Sequence, residues 1–418
     1  MIKDSKREKK NIFELIEELC PDGVEYRKLK DVCTIRNGYT PSKKHLEYWK
    51  NGTVPWFRMD DIRTHGRVLS DSLQHVTPQA VKGQLFQADS LIFATTATIG
   101  EHAIISVPFL CNQQFTVLTI RDEMKEAIEP RYLFHYGFII DEWCKRNTKS
   151  GTMAAVDMNK FREIEIPVPP LQVQEEIVRT LDTFTKLAAE LATELAMRTK
   201  QYAYYRDELL ELEGVEGVEY RRLGDVTTQR RGKGLKKDDK GSGDTAIILY
   251  GELYTTYGDY ITDIASRCDD EVATGALPVS YGDILLPISS TTRKAQIGKA
   301  SVLKVSEPVY MGGDAVALTP KDGILSDYLI YCINGKAFEE QKMKCVKGTT
   351  IQHLSPSMMY DIEIPVPPLA VQREVVRVLD MMTELTAELT AELTARTKQY
   401  AYYRDLLLSF QSAQHSLF

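Results

Sequence analysis

Apolar positions beyond Pro170 fall into two long runs that share one period. Ile177, Leu181, Phe184, Ala188, Leu191, Leu195, Arg198, Tyr202, Tyr205, Leu209 and Leu212 step alternately by four and three. Val375, Leu379, Met382, Thr386, Leu389, Leu393, Arg396, Tyr400, Tyr403, Leu407 and Phe410 repeat the series. A stripe of this kind holds one helical face against a partner and predicts a coiled-coil seam. About forty-two residues at about 1.5 Å each make a rod of roughly 63 Å. That outruns a domain of about 150 residues, whose radius of gyration is about 15 Å. The two rods are expected to pair antiparallel within the chain. Arg198 and Arg396 take the same seam position, where a polar residue costs stability but fixes register.

Ahead of each rod the texture changes. Short β-rich runs such as Ser90–Ala94, Gln114–Ile120 and Asp283–Ile288 alternate with turns, and helical patches cover Pro130–Lys145 and Ser326–Lys342. Glu-Ile-Pro-Val-Pro-Pro-Leu closes both segments, at Glu165–Leu171 and Glu363–Leu369. Its prolines withdraw backbone donors, ending a globular unit and launching a helix.

The chain is a duplication. Gly23–Val32 recurs as Gly217–Val226 at an offset of 194, and Arg198–Asp207 recurs identically as Arg396–Asp405 at 198. The difference places an insertion near Ser289–Lys294. Glu14, Leu15 and Glu17 match Glu208, Leu209 and Glu211, so residues 11–20 are expected to resemble a rod end and close the order into a circle. The predicted fold is α+β: two duplicated α/β domains (21–170 and 217–368) separated by two long antiparallel coiled-coil helices, in a circular pseudo-two-fold organisation. A helical arm (1–20), a central helical spacer (171–216) and a C-terminal helix (369–418) complete it.

Composition agrees with this picture. A chain of 418 residues, 43% hydrophobic and 27% charged, suits two or three globular domains. No apolar run approaches the length of a membrane span. Lys3, Lys6, Arg7, Lys9 and Lys10 are not followed by an apolar signal core, so a cytoplasmic protein is expected. Seven cysteines without a CxxC read as free thiols rather than a disulfide framework or zinc site. Fifty-two basic against fifty-nine acidic residues give −7, which excludes a wholly basic coat and leaves local patches.

Catalytic motifs are missing. Ile297-Gly298-Lys299-Ala300 lacks the remainder of a phosphate loop, Gly232-Lys-Gly234 lacks the third glycine and preceding strand of a dinucleotide loop, and GxSxG is absent. Pro-Pro occurs only inside Pro-Val-Pro-Pro, not in the loop that amino-methyltransferases use. Glu123-Met-Lys125 has the spacing of a nuclease pair but no upstream acid. No catalysis, cofactor or metal is expected in this chain.

Two basic segments stand out. Pro41–Arg67 offers Lys43, Lys44, Arg58 and Arg63 among Tyr48, Trp49, Trp56 and Phe57. Thr227–Gly241 offers Arg230, Arg231, Lys233 and Lys236, with glycines that would let the backbone approach a phosphate. The insertion adds Arg293 and Lys294. Such groups neutralise phosphates, and arginine forks onto guanine in the major groove.

Arg36-Asn-Gly-Tyr-Thr-Pro-Ser-Lys-Lys-His-Leu-Glu-Tyr-Trp49, followed by Val54-Pro-Trp56, resembles the opening motif of a type I restriction–modification specificity subunit. The duplicated Pro-Val-Pro-Pro-Leu, the Thr-Ala-Glu-Leu repeats of Glu384–Leu393 and the Gln-Tyr-Ala-Tyr-Tyr-Arg-Asp helix resemble that family's central and C-terminal conserved regions. Asn37-Gly38 replaces the glycine pair of many members, and the second domain lacks the Thr-Pro-Ser/Tyr-Trp opening. The resemblance implies two target-recognition domains, each reading one half of a split site in double-stranded DNA. It also implies rods that set the gap and dock two methyltransferase subunits carrying S-adenosylmethionine, joined by restriction (translocase) subunits that use ATP and Mg. Each four-residue repeat would lengthen a rod by about 6 Å, under two base-pair steps of about 3.4 Å. The alternative is a non-enzymatic duplicated scaffold that joins protein partners without reading DNA.

Overall fold

A computed structural model describes residues 11–149, 154–241, 243–290, 297–348 and 351–413. It divides into two compact units, Met1–Leu191 with Glu392–Phe418, and Ala192–Ala391. The predicted rods are two long helices, Leu171–Leu210 and Leu369–Leu407. Each unit therefore holds the beginning of one long helix and the end of the other. The seam is visible in burial: from Val375 to Phe410 every predicted seam residue is buried or half-buried, while Met381, Glu388, Ala395 and Tyr402 between them are exposed. Arg198 and Arg396 fold back on their own helices, donating to Glu194 and Glu392 at 2.7 Å and to Gln201 and Gln399 at 3.0 and 2.9 Å. The cost of a charged seam residue is met locally.

Unit 1 opens with α1 (Ile12–Leu19), whose Asn11–Glu14 capping box satisfies the first backbone donors. A ribbon of β1 (Glu25–Lys28) and β7 (Glu165–Val168) pairs Tyr26 with Pro167. The main sheet runs β2 (Cys33–Asn37), β6 (Phe115–Ile120), β4 (Ser90–Ala94), β5 (His102–Ile105) and β3 (Val68–Leu69), antiparallel except for β3 beside β5. Strand β4 is buried along its whole length, so it reads as an apolar run rather than an alternation. Its residues still divide by face. Leu91 and Phe93 join the core of α2 (Pro130–Arg146) and the long helices, and Ile92 and Ala94 join a second core around Trp56 and Phe57.

Unit 2 repeats the plan. Its ribbon pairs β8 (Glu219–Arg222) with β14 (Glu363–Val366). Its sheet runs β9 (Thr227–Arg231), β13 (Ala315–Pro320), β11 (Ile284–Pro287), β12 (Ser301–Leu303) and β10 (Tyr260–Ile261), with only β10 and β12 parallel. The helix expected over Ser326–Lys342 is broken. It is α3 (Ser326–Asn334) and then Lys336–Lys342, with Gly335 extended between them.

One polar lock fastens each long helix to its unit. Gln174 is fully buried; its amide donates to Ala127 O at 2.7 Å and Pro169 O at 2.8 Å, and its carbonyl accepts from Glu129 N–H at 2.9 Å. Gln372 does the same with Gly323 O (3.0 Å), Pro367 O (2.8 Å) and Leu325 N–H (2.9 Å). Tyr132 and Tyr328 donate to Pro167 O and Pro365 O, each at 3.1 Å. The proline block thus supplies free carbonyls as well as withholding donors.

The rod-end role expected for residues 11–20 belongs to the C-terminal segment instead. Tyr26 donates to Phe410 O at 2.8 Å, and Val24 exchanges backbone hydrogen bonds with Gln411 and Ala413. In unit 2 the equivalent Tyr220 hydrogen-bonds the backbone of Leu212, which is the partner of Phe410 at offset 198. The residues after Asp405 are therefore the spatial match of 208–215, and α1 is an additional element.

Candidate nucleic-acid interface

The two basic segments leave their units at equivalent places. β2 and β9 end at Asn37 and Arg231, and the next residue, Gly38 or Gly232, donates its N–H to Phe115 O or Ala315 O at 2.9 Å. Each segment thus emerges from the equivalent edge strand of its own unit's sheet.

In unit 1 the aromatics anchor this segment and the cations project from it. Trp56 Nε1 donates to Tyr39 O at 3.0 Å, Trp49 Nε1 donates to Ser42 O at 3.2 Å, and the indoles meet edge-on at 4.9 Å. Lys43, Lys44 and Arg63 are exposed. The Arg58 guanidinium lies 5.7 Å from the Trp56 ring and 3.5 Å from Asp60, and its Nε is buried without an acceptor. Arg67 turns inward: it donates to His102 O at 2.9 Å, pairs with Asp141 at 3.3 Å and lies over Phe138.

In unit 2 the geometry divides the predicted group. Arg230 is engaged internally, bridging Asp283, Pro278 O at 2.7 Å and Thr319 Oγ1 at 3.2 Å. Arg230, expected as a candidate DNA contact, is thus held by partners within its own unit. Neighbouring residues of a strand face opposite ways, so Arg231 is exposed, and Lys233 and Lys236 are exposed in the loop that follows. Lys240 pairs at 2.6 Å with Glu252, a buried carboxylate. Gly232 serves packing rather than phosphate access, because a Cβ there would lie 1.9 Å from Gly312 O. Arg293 and Lys294 lie outside the described residues. The exposed candidates are thus Lys43, Lys44, Arg63, Arg231, Lys233 and Lys236, with Arg58 half-buried.

Among the described residues, no cluster of His, Cys, Asp and Glu is arranged to hold a metal, and no helix is long and apolar enough to cross a membrane. All seven cysteines are buried and unpaired, with burial pushing the Cys33 thiol up to about 12.

The architecture defines a tandem pair of mixed α/β units, each with a helical stalk and a basic segment at one sheet edge. The sequence profile of the type I restriction modification DNA specificity domain matches residues 21–197 and 215–399, and the chain belongs to this family. It is 47% identical over 224 residues to the EcoprrI specificity subunit of Escherichia coli, covering 50% of this chain and 56% of that protein. With the EcoR124I/EcoR124II specificity subunit of E. coli it shares 32% over 271 residues, covering 60% and 65%. The chain thus spans about half to two thirds of these two relatives. A Haemophilus influenzae sequence of the same description matches at 28% over 414 residues, covering 93% and 96%. Among solved structures, the S subunit of a type I restriction–modification system from M. genitalium shares the fold with a TM-score of 0.56 at 16% identity, covering 93% and 97%. Another chain from a type I restriction–modification system gives 0.58 at 20%, covering 93% and 96%.

Proposed function

We propose that this chain is the DNA-specificity subunit of a type I restriction–modification complex and is itself non-catalytic. Each unit reads one half of a bipartite target through the segment that leaves its sheet edge. The carrying observation is that the equivalent edge strand of each specificity domain leads into a segment with exposed cations, and that these differ: Lys43, Lys44 and Arg63 in one, Arg231, Lys233 and Lys236 in the other. Equivalent position supports a shared task, and different residues support different half-sites. Arg58, half-buried with its Nε lacking an acceptor, joins these candidates in the first unit. Methyltransferase subunits, carrying S-adenosylmethionine, dock on the chain and modify adenine; restriction subunits supply the ATP- and Mg-dependent steps. The complex works in the cytoplasm, on double-stranded DNA.

The test is to sequence modified bases genome-wide in cells carrying the cognate methyltransferase, with and without this gene. A split methyladenine motif that depends on the gene is expected. With the partner expressed and active, an unaltered pattern would transfer the reading to a scaffold that joins proteins. Such a scaffold would also show no salt-dependent duplex binding, whereas phosphate contacts fall steeply in affinity as salt rises.

A further inference from the structure

The two ribbons, β1–β7 and β8–β14, are equivalent in sequence but unequally covered. Leu407 and Leu408 are 1% and 2% exposed, whereas Leu209 and Leu210, their partners at offset 198, are half-buried. Tyr26 is half-buried and its partner Tyr220 is 45% exposed. Unit 1 has one surplus element at this core, α1, whose Ile12 and Leu15 belong to the same buried core as Leu407, Leu408 and Ile166, with Tyr26 packed against it. Among the described residues unit 2 has no such helix, and a groove of about 540 Å³ is found there, walled by Leu210, Tyr220, Phe338, Ile364 and Pro365.

Charge tells what kind of helix would fit. The groove's rim carries Asp207, Glu208, Glu211, Glu213, Glu340 and Glu363 against Lys336. In unit 1 the partners of Glu208, Glu211 and Glu213 are Leu406, Ser409 and Gln411. An acidic helix, α1 with Glu14, Glu17 and Glu18, is therefore accommodated on a rim stripped of those carboxylates. The same helix from a second copy would meet like charge in unit 2. Burial, then the carboxylates of Glu213 and Glu211, push the Tyr220 phenol up, in keeping with a negative field at the groove.

We propose that this groove receives an amphipathic helix of a partner chain, apolar along one face and flanked by lysine and arginine, in the place that α1 fills in unit 1. The binding mode is a helix laid in a groove, with apolar anchors at helical spacing and charge setting choice of partner. The two units then differ as docking stations: one is filled by the chain itself and the other is open. The proposal rests on the function above only in taking the partner to be the methyltransferase subunit.

The test places the photo-crosslinker p-benzoylphenylalanine at Tyr220 of the full chain, co-produced with the cognate methyltransferase, with the same substitution at Tyr26 as reference. Crosslinks from position 26 are expected to reach α1 of the same chain, and those from position 220 one basic helical segment of the methyltransferase. The double change Glu211→Lys and Glu213→Lys, on exposed side chains, is expected to weaken the complex roughly tenfold at low salt and less at high salt. A methyltransferase that binds while position 220 crosslinks nothing, or only an acidic segment or a second copy, overturns the proposal and leaves the DNA reading intact. Affinity unaltered by charge reversal overturns it equally. A chain that binds no methyltransferase at all overturns both.

Discussion

Gln174 and Gln372 should each anchor a long helix to its own unit, and that can be measured. Gln372→Leu keeps side-chain volume nearly constant but strands the buried carbonyl of Pro367, together with the partly buried N–H of Leu325 and carbonyl of Gly323. An orphaned buried group costs about 1–3 kcal/mol. The Pro367 carbonyl alone sets a floor of about 1 kcal/mol, and the two partly buried groups, which water can reach, add less each. In a unit of about 200 residues each kcal/mol shifts Tm by about 2–4 °C, so the unit 2 transition should fall by at least about 2–4 °C. Gln174→Leu should do the same to unit 1 and leave unit 2 in place; the sites share no partner, so the double variant should show both shifts. Gln372→Glu retains the acceptor for Leu325 but sets a carboxylate against two carbonyls, and should be at least as damaging. Differential scanning calorimetry with hydrogen exchange on the two ribbons would assign each transition. A fall below about 2 °C in Gln372→Leu would refute the lock, since even one orphaned group should exceed it.

Other perturbations separate structural from DNA-facing groups. Lys233→Ala and Lys236→Ala should leave thermal stability unaltered and each lower the salt slope of duplex binding by about 1; an unaltered slope would remove them from the interface. Arg230→Ala should instead destabilise unit 2, because it strips the buried Asp283 carboxylate of its cation; a fully stable variant with weakened DNA binding would restore it to the interface. His135 should give unit 1 a pH dependence. Nε2–H donates to Asp182 at 2.8 Å and Nδ1 accepts from the Tyr400 hydroxyl at 3.1 Å, so the neutral ring is satisfied on both sides. Burial, opposed by Asp182, holds the His135 pKa below its ordinary value. The unfolded chain then protonates first, so stability is complete above about pH 6.5 and declines as pH falls below it. Urea unfolding of His135→Gln should lack that decline, and a decline equal to the parent's would refute it. Deleting Thr386–Leu389 removes about 6 Å of helix and should shorten the gap between half-sites by one or two base pairs while both halves persist; an unaltered gap would reject the spacing role.

The long helices and the duplication were legible because both are written in local periodicity and in repeated strings. Seam residues from Val375 to Phe410 are the less exposed positions of their helix, as a four–three alternation demands. The candidate interface was legible only in part. Arg230 and Arg231 are adjacent cations in sequence, yet strand geometry sends one toward Asp283, fifty-three residues away, and the other to solvent. Arg67 and Lys240 are likewise claimed by Asp141 and Glu252. A local count of charges contains none of these partners. The break at Gly335 was hidden because Ser326–Lys342 has an unbroken helical pattern, and a glycine inside such a pattern is only weakly informative.

The ends of the chain show how duplication and asymmetry coexist. The match of Glu14, Leu15 and Glu17 to Glu208, Leu209 and Glu211 assigns the rod-end place to residues 11–20. Backbone pairing decides otherwise: Val24 exchanges hydrogen bonds with Gln411 and Ala413, and a Cβ on Gly23 would come within 2.4 Å of Gln411 O. Gly23 also has φ of +88°, in the region that favours glycine. Its copy Gly217 shares the positive φ, at +81°, but has only the Pro368 ring as near as 4.0 Å. The backbone conformation belongs to the repeat, whereas the close approach exists only where a chain end must be held. Unit 2 receives its rod end by continuous chain through Leu212 and needs no such clasp. Unit 1 must recruit its rod end from residues nearly four hundred positions away, as in the Tyr26–Phe410 hydrogen bond. The close-packed glycine, the less acidic rim and α1 all lie in the unit that has to be closed by docking.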